Sequence, residues 1–112
     1  MTNWIKIGHL DEADCDFTSY DQTIGIYKAI KDEELVYIGK ATELNNGGFR
    51  KRLRDYTRHS DSARNYPSGV LMNQHQNDIV IFILEMDSIE QINQKEIELI
   101  GELNPCWNEC DN

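Results

Sequence analysis

Apolar and polar positions along the chain predict three β-strands. β-branched and aromatic residues favour strands from about Thr23 to Ile30 and from about Leu35 to Lys40, and the charged turn between them indicates a hairpin. The continuous apolar run Ile79 to Leu84 is typical of a strand buried on both faces. We therefore expect this third strand to be the central one.

Two or three helices are expected around these strands. Apolar residues at helical spacing predict an amphipathic helix from about Phe49 to Arg58. A loop or short helix is expected up to Gln76. A capping box of Ser88 and Gln91 predicts a last helix over about residues 89–103, which Asn104-Pro105 ends.

This order of elements predicts the fold class. A small central three-stranded antiparallel sheet flanked by helices is expected, in an α/β protein of the α+β type. The pattern leaves open whether the third strand inserts between the first two or lies beside them. At 112 residues the chain is expected to form one domain, residues 1–112, with an N-terminal extension (1–22) and a core (23–108). Within the extension, Trp4 to Ile7 fits a short strand.

Charge bears on possible partners. The net charge is −9, with 20 acidic against 11 basic side chains, which argues against nonspecific nucleic-acid binding. Six of the 11 basic residues nevertheless lie between Arg50 and Arg64, where the local charge is about +4. This segment is either an electrostatic footprint for phosphates or a solvated helix face.

Cysteine usage and hydropathy bear on the compartment. Cys15, Cys106 and Cys110 cannot all pair within one chain, and they form no Cys-x-x-Cys motif. A reduced, cytoplasmic protein without a zinc site is the expectation. No apolar run reaches about eighteen residues and no secretory signal is visible, so no membrane association is expected.

Glu96 interrupts the apolar face of the last predicted helix. At about 100° per residue it falls near the middle of an arc of apolar residues. A carboxylate there must be paired, metal-bound or protonated, because burial of a bare charge is unfavourable. The apolar residues of the arc are Ile89, Ile92, Leu99, Ile100 and Leu103.

Arg52 occupies a similar position on the first predicted helix, where it flanks the apolar stripe of Phe49 and Tyr56. Two inward-leaning opposite charges predict a shared polar pocket. A buried Arg52–Glu96 salt bridge that holds the two helices together explains both charges equally well on the residue pattern alone.

The tripeptides Gly25-Ile26-Tyr27 and Tyr37-Ile38-Gly39 resemble the signature of the GIY-YIG nuclease superfamily. The resemblance covers about Ile24 to Asn108, with an arginine on the next helix, a late glutamate and an asparagine after a proline. It implies a GIY-YIG-like fold and a metal-dependent endonuclease that hydrolyses phosphodiester bonds in DNA. One divalent ion, Mg²⁺ or Mn²⁺, would assist, and a single carboxylate with several waters suits Mg²⁺.

The resemblance also implies roles for individual residues, with Glu96 as the metal ligand. The implied catalytic residues are Tyr27, Tyr37, Arg52, Tyr56 and Glu96. The resemblance implies that Asn108 lies near the substrate and holds its loop. The other substrate-binding candidates are Lys40, Arg50 and Arg54; an exposed lysine explains Lys40 equally well. Many members have a further catalytic histidine; His59 and His75 are the candidates here, and neither aligns cleanly.

A second functional class stays open. On the same scaffold, a catalytically weak or inactive binding or regulatory module could use its acidic surface to contact a protein partner. The net charge of −9 favours this alternative, whereas the complete set of two tyrosines, Arg52 and Glu96 favours the enzyme. Nucleic acid, with DNA preferred over RNA, is the expected partner of the enzyme, and a homodimer is also open.

Overall fold

The computed structural model describes residues 4–12, 17, 20, 22–43, 47–57 and 67–108. In this part of the chain, four strands form one antiparallel sheet in the order β1-β4-β2-β3. Helices pack on both faces, which confirms the predicted α+β class. The strands are β1 (Ile5–His9), β2 (Gly25–Lys31), β3 (Glu34–Ala41) and β4 (Ile79–Glu85).

The predicted count of three strands is wrong, because β1 adds a fourth. This strand includes part of the Trp4 to Ile7 segment and pairs with the edge of β4 that faces away from β2. Without β1, that edge would present unpaired backbone groups, which are unfavourable unless water or another strand satisfies them. Part of the N-terminal extension therefore belongs to the sheet.

The hairpin of β2 and β3 confirms the prediction from the charged turn. Asp32 and Glu33 both have positive φ, 52° and 67°, the backbone twist that a two-residue hairpin turn requires. The register pairs Tyr27 with Gly39 and Ile26 with Lys40. Because side chains alternate along a strand, this register assigns Tyr27 and Lys40 to opposite faces of the sheet.

The interior position predicted for the third strand of the core is confirmed by β4. Its residues Ile79, Ile81 and Ile83 are fully buried on one face. The alternate residues on the other face are only half-buried, so the expectation of burial on both faces holds in part. The reason is that α3 covers the sheet mainly over β2 and β3.

Three helices lie within the described residues. They are α1 (Gly48–Thr57), α2 (Pro67–Gln74) and α3 (Ile89–Leu103), and a 3-10 turn spans Leu10–Glu12. The predicted end of the first helix, Arg58, lies outside the described residues. None of the helices in the described part of the chain has the length and apolar character needed to cross a membrane.

The ends of α3 differ from the predicted apolar arc. Ile92 and Leu99 are buried as expected, but Ile89 and Leu103 are 51% and 46% exposed. The helix packs on β2 and β3 through its central turns, so both ends extend beyond the strands that it covers. Ser88 caps its N-terminus by accepting a hydrogen bond from the backbone N–H of Gln91.

The apolar core lies in two layers, one on each face of the sheet. Phe49 and Leu53 of α1 pack with Tyr27 in the first layer, and Ile92 of α3 packs with Ile26 in the second. The two helices that carry Arg52 and Glu96 therefore lie on opposite sides of the sheet. A site that uses both residues must form at an end of the sheet, where the two faces meet.

Candidate active site

Three tyrosines form a buried cluster against α1. Tyr27 is fully buried, and its ring centroid lies 6.2 Å from that of Tyr37 and 6.3 Å from that of Tyr56. The hydroxyl groups of Tyr27 and Tyr56 form a hydrogen bond of 2.5 Å. Tyr56 also accepts, through its backbone carbonyl, a hydrogen bond from the Asn73 amide on α2. The structure thus brings together all three predicted phenols.

Gly39 makes room for this cluster. It lies directly across the hairpin from Tyr27, and a Cβ at this position would lie 2.4 Å from both Cζ and Oη of Tyr27. No side chain larger than hydrogen fits there unless the ring moves. Gly39, the second glycine of the signature, is therefore required by the packing of the Tyr27 ring.

Arg52 lies beside the three phenols and reaches the surface. Its guanidinium carbon is 5.8 Å from the centroid of the Tyr56 ring. The neighbouring Tyr27 raises the pKa of Arg52, so the side chain is a permanent cation. Its Nε is buried and has no hydrogen-bond partner among the described residues. This arrangement holds a fixed positive charge beside the phenols.

Burial decides the ionisation of the phenols. It raises the pKa of Tyr27, although the positive charge of Arg52 opposes this shift. It raises the pKa of Tyr56 still more, and Tyr27 adds to the shift. Both phenols are therefore neutral at pH 7, and they are suited to donate hydrogen bonds rather than to remove a proton.

Glu96 is half-buried on α3, with 20% of its side chain exposed. Burial raises the pKa of its carboxyl group, while the charges of Lys40 and Arg52 oppose the shift. Within the described residues its ion pair is with Lys40, at 3.7 Å between Nζ and Oε1. The alternative Arg52–Glu96 salt bridge is not formed, so it does not explain why both charges turn inward.

Lys40 connects Glu96 to an open cleft. It donates a hydrogen bond of 2.8 Å to Oδ1 of Asn93, one helical turn before Glu96. It also lines a cleft of about 200 Å³ at the end of β3, together with Arg52. Glu96 borders this cleft through Lys40 and is not itself part of its wall. The remaining lining residues are Ala41, Thr42, Glu43 and Gly48.

The backbone around Gly48 sets the far wall of the cleft. Gly48 has φ 47°, and a Cβ there would lie 2.1 Å from the carbonyl oxygen of Thr23. The next amide, that of Phe49, donates to the same carbonyl at 3.0 Å. These contacts join the start of α1 to the chain just before β2 and so position Arg52 one turn further along.

Asn108 lies at the edge of the sheet. Its side-chain oxygen accepts from the backbone N–H of Ile38 and its amide donates to the carbonyl of Ile38, both at 2.9 Å. Trp107 adds a backbone hydrogen bond to Val36 at 2.8 Å. The segment after α3 therefore covers the open edge of β3 next to Tyr37.

Other predicted residues lie farther from the cleft. Arg50 and Arg54 are half-buried on α1 and are not among the residues that line it. The ring of His75 packs 5.4 Å from that of Trp107, and His59 lies outside the described residues. Sequence reasoning missed Asn93 and Thr42. The sequence signal that could have indicated Asn93 is its position three residues before Glu96, on the same side of the helix.

The donor set indicates which metal the site suits. Among the described residues no group of three or more histidine, cysteine or acidic side chains converges on one point. Cys106 is exposed, while Cys15 and Cys110 lie outside the described residues. A single half-buried carboxylate next to an open cleft fits a hard divalent ion that keeps most of its water ligands, as Mg²⁺ does. It does not fit structural zinc.

The architecture is that of the GIY-YIG fold. Two solved structures of the GIY-YIG N-terminal endonuclease domain of UvrC from Thermotoga maritima resemble this chain with a TM-score of 0.59. Both are point mutants bound to the catalytic divalent cation. One is 16% identical over 86% of this chain and 93% of its own, and the other is 15% identical over 87% and 94%. No protein-family model and no curated protein matches the sequence.

Proposed function

We propose that this chain is a metal-dependent endonuclease that hydrolyses phosphodiester bonds in DNA at a single site. One observation carries the proposal: the permanent cation Arg52, held on buried phenols, lines a cleft that also contains Lys40 and borders the half-buried Glu96. A cleft of this kind suits a phosphate group. The similarity to an endonuclease domain supports the same activity.

Arg52 and Lys40 would hold the scissile phosphate. Both line the cleft, and they approach it from opposite faces of the sheet. Arg52 would neutralise the charge that develops on the phosphate oxygens in the transition state, and its buried position strengthens that interaction. Arg50 and Arg54, two residues before and two residues after Arg52 on α1, would contact neighbouring phosphates of the strand.

Glu96 would be the protein ligand of one Mg²⁺ or Mn²⁺ ion. When bound, such an ion stabilises the leaving oxygen and the scissile phosphate. Because burial raises the pKa of Glu96 even beside Lys40 and Arg52, ionisation of this carboxylate destabilises the fold at neutral pH. A divalent cation would relieve that strain, which is a physical reason for a metal at this position.

The phenols would orient groups at the reacting centre. Tyr27 and Tyr56 are neutral and bonded to each other, so they would fix Arg52. Tyr37, which is 8% exposed, would orient the attacking water. Asn108 would position Tyr37 through its hydrogen bonds to Ile38. A cytoplasmic location and a DNA substrate complete the proposal.

Nicking of supercoiled plasmid in Mg²⁺ or Mn²⁺ tests the proposal. We expect Arg52→Ala to lower the rate about 10²- to 10³-fold, as for loss of a transition-state donor. Glu96→Gln should abolish metal-dependent nicking and leave the fold at least as stable at pH 7, because its raised pKa makes the ionised form unfavourable. Glu102→Gln, on an exposed part of the same helix, is the matched control.

Two outcomes would contradict the proposal. Folded wild-type protein that never nicks with either metal would favour the alternative, a binding or regulatory module, which the net charge of −9 supports. Calorimetric titration that finds the same Mn²⁺ affinity in wild type and Glu96→Gln would refute the metal assignment alone.

A further inference from the structure

Asn93 lies between the lysine and the carboxylate of the candidate site. It precedes Glu96 by three residues, so the two side chains occupy the same side of α3. Its Oδ1 accepts the short hydrogen bond of 2.8 Å from Lys40, while the carboxylate of Glu96 stands 3.7 Å from the same ammonium. The neutral amide therefore holds the closer contact and the charged group the longer one.

This preference runs against simple electrostatics. An ammonium next to a carboxylate is expected to close to a charge-assisted hydrogen bond of about 2.7–2.9 Å. The side chain of Lys40 is 40% exposed and that of Glu96 is 20% exposed, so burial does not keep the two charged groups apart. The hydrogen bond to Asn93 is the contact that accounts for the longer distance.

The position of Asn93 in the helix supports a dedicated role. Asparagine in a helix interior is less favourable than alanine, because its side chain competes with the helical backbone. Here the side chain instead points to β3, where it bonds Lys40. The hydrogen bond to Lys40 on β3 thus offsets the unfavourable helical propensity of Asn93.

We propose that Asn93 is a positioning residue: it holds the Lys40 ammonium toward the cleft and so keeps the Glu96 carboxylate available to a divalent cation. The inference rests on the proposed function, since it assigns Glu96 to the metal. Without Asn93, Lys40 would close onto Glu96 and compete with the cation. Closing from 3.7 to about 2.8 Å at an effective dielectric constant near 20 corresponds to about tenfold in cation affinity.

Calorimetric titration with Mn²⁺ alone, without DNA, tests the inference through four variants. Asn93→Ala should weaken Mn²⁺ binding about tenfold. Lys40→Met, which removes the competing ammonium, should tighten it. Adding Asn93→Ala to Lys40→Met should change nothing further, because Asn93 acts only through the lysine. Asn93→Asp keeps an acceptor for Lys40 and should bind at least as tightly as wild type.

A control variant and the results that would overturn the role of Asn93 complete the experiment. Gln94→Ala, next to Asn93 on the exposed side of α3, should bind as wild type does. Equal weakening by Asn93→Ala with and without Lys40 would overturn the inference, as would wild-type affinity in Asn93→Ala. Wild-type protein that binds no Mn²⁺ would overturn both the role of Asn93 and the assignment of Glu96 as metal ligand. If Glu96→Gln loses Mn²⁺ binding and Asn93→Ala keeps wild-type binding, only the role of Asn93 is overturned.

Discussion

The hydrogen bond between Tyr27 and Tyr56 gives a sharp test of how the buried phenol cluster is held. Both rings are almost completely buried, with 0% and 3% exposed. Tyr27 interacts with both Tyr56 and Arg52, whereas the hydroxyl of Tyr56 has only Tyr27 as its hydrogen-bonding partner among the described residues. Replacing each tyrosine by phenylalanine removes one oxygen and keeps the ring.

The expected loss in the free energy of unfolding depends on which buried hydroxyl group loses its hydrogen-bond partner. Tyr27→Phe leaves the buried hydroxyl of Tyr56 unsatisfied, so it should lower the free energy of unfolding by about 1–3 kcal/mol. Tyr56→Phe should lower it by about 0.5–1.5 kcal/mol, because Tyr27 still interacts with Arg52. In the double variant no hydroxyl is left unsatisfied, so its loss should be about 1 kcal/mol smaller than the sum of the single losses.

Urea unfolding of the four proteins, with unchanged slopes of free energy against urea, measures this coupling. Tyr20→Phe, at a half-buried position outside the cluster, serves as the matched control and should change stability by less than about 0.5 kcal/mol. Single effects that add to within about 0.5 kcal/mol, or a larger loss in Tyr56→Phe than in Tyr27→Phe, would refute the reasoning.

Two further predictions concern the same cluster. Gly39→Ala should lower the free energy of unfolding by about 1–3 kcal/mol and reduce nicking, because the new methyl group displaces the Tyr27 ring. Urea unfolding measures the loss of stability. The control is Gly101→Ala, on an exposed helical surface with open space, which should be neutral or stabilising. Stability should also fall as pH rises above about 10, because the raised pKa values of Tyr27 and Tyr56 mean that the folded state holds protons the unfolded chain has lost. A pH series of urea midpoints checks this, and an equally steep fall in the double phenylalanine variant would contradict it.

The parts of the fold that sequence could predict are those with a local signal. The hairpin follows from its charged turn, and the last helix from the cap at Ser88 and the stop at Asn104. By contrast, β1 is a five-residue strand with mixed polarity that is stabilised by pairing with the distant β4. The local pattern at Trp4 to Ile7 indicated a short strand but not its pairing with β4, so the sheet was predicted with three strands instead of four.

The candidate site divides in the same way. Glu96 was identifiable because a carboxylate breaks an apolar arc, and the structure places it in a half-buried position. The sequence did not indicate the contacts that Lys40 makes with α3, because these contacts depend on the packing of β3 against this helix. The bidentate contact of Asn108 with Ile38 likewise joins residues seventy positions apart and has no sequence signature.

The separation of charge by the sheet reconciles the acidic chain with the proposed DNA substrate. The described helix α1 carries four of the 11 basic residues on one side, whereas α3, with Glu90, Glu98 and Glu102 exposed, lies on the other. Helix–sheet–helix packing puts these surfaces on opposite faces of the sheet, and the Debye length at physiological salt is only about 8 Å. The acidic surface therefore repels phosphates mainly at its own side. A DNA strand that approached along α1, as proposed, would meet Arg52 and then the end of the sheet, where Lys40 lines the same cleft from the opposite face and Glu96 borders it through Lys40.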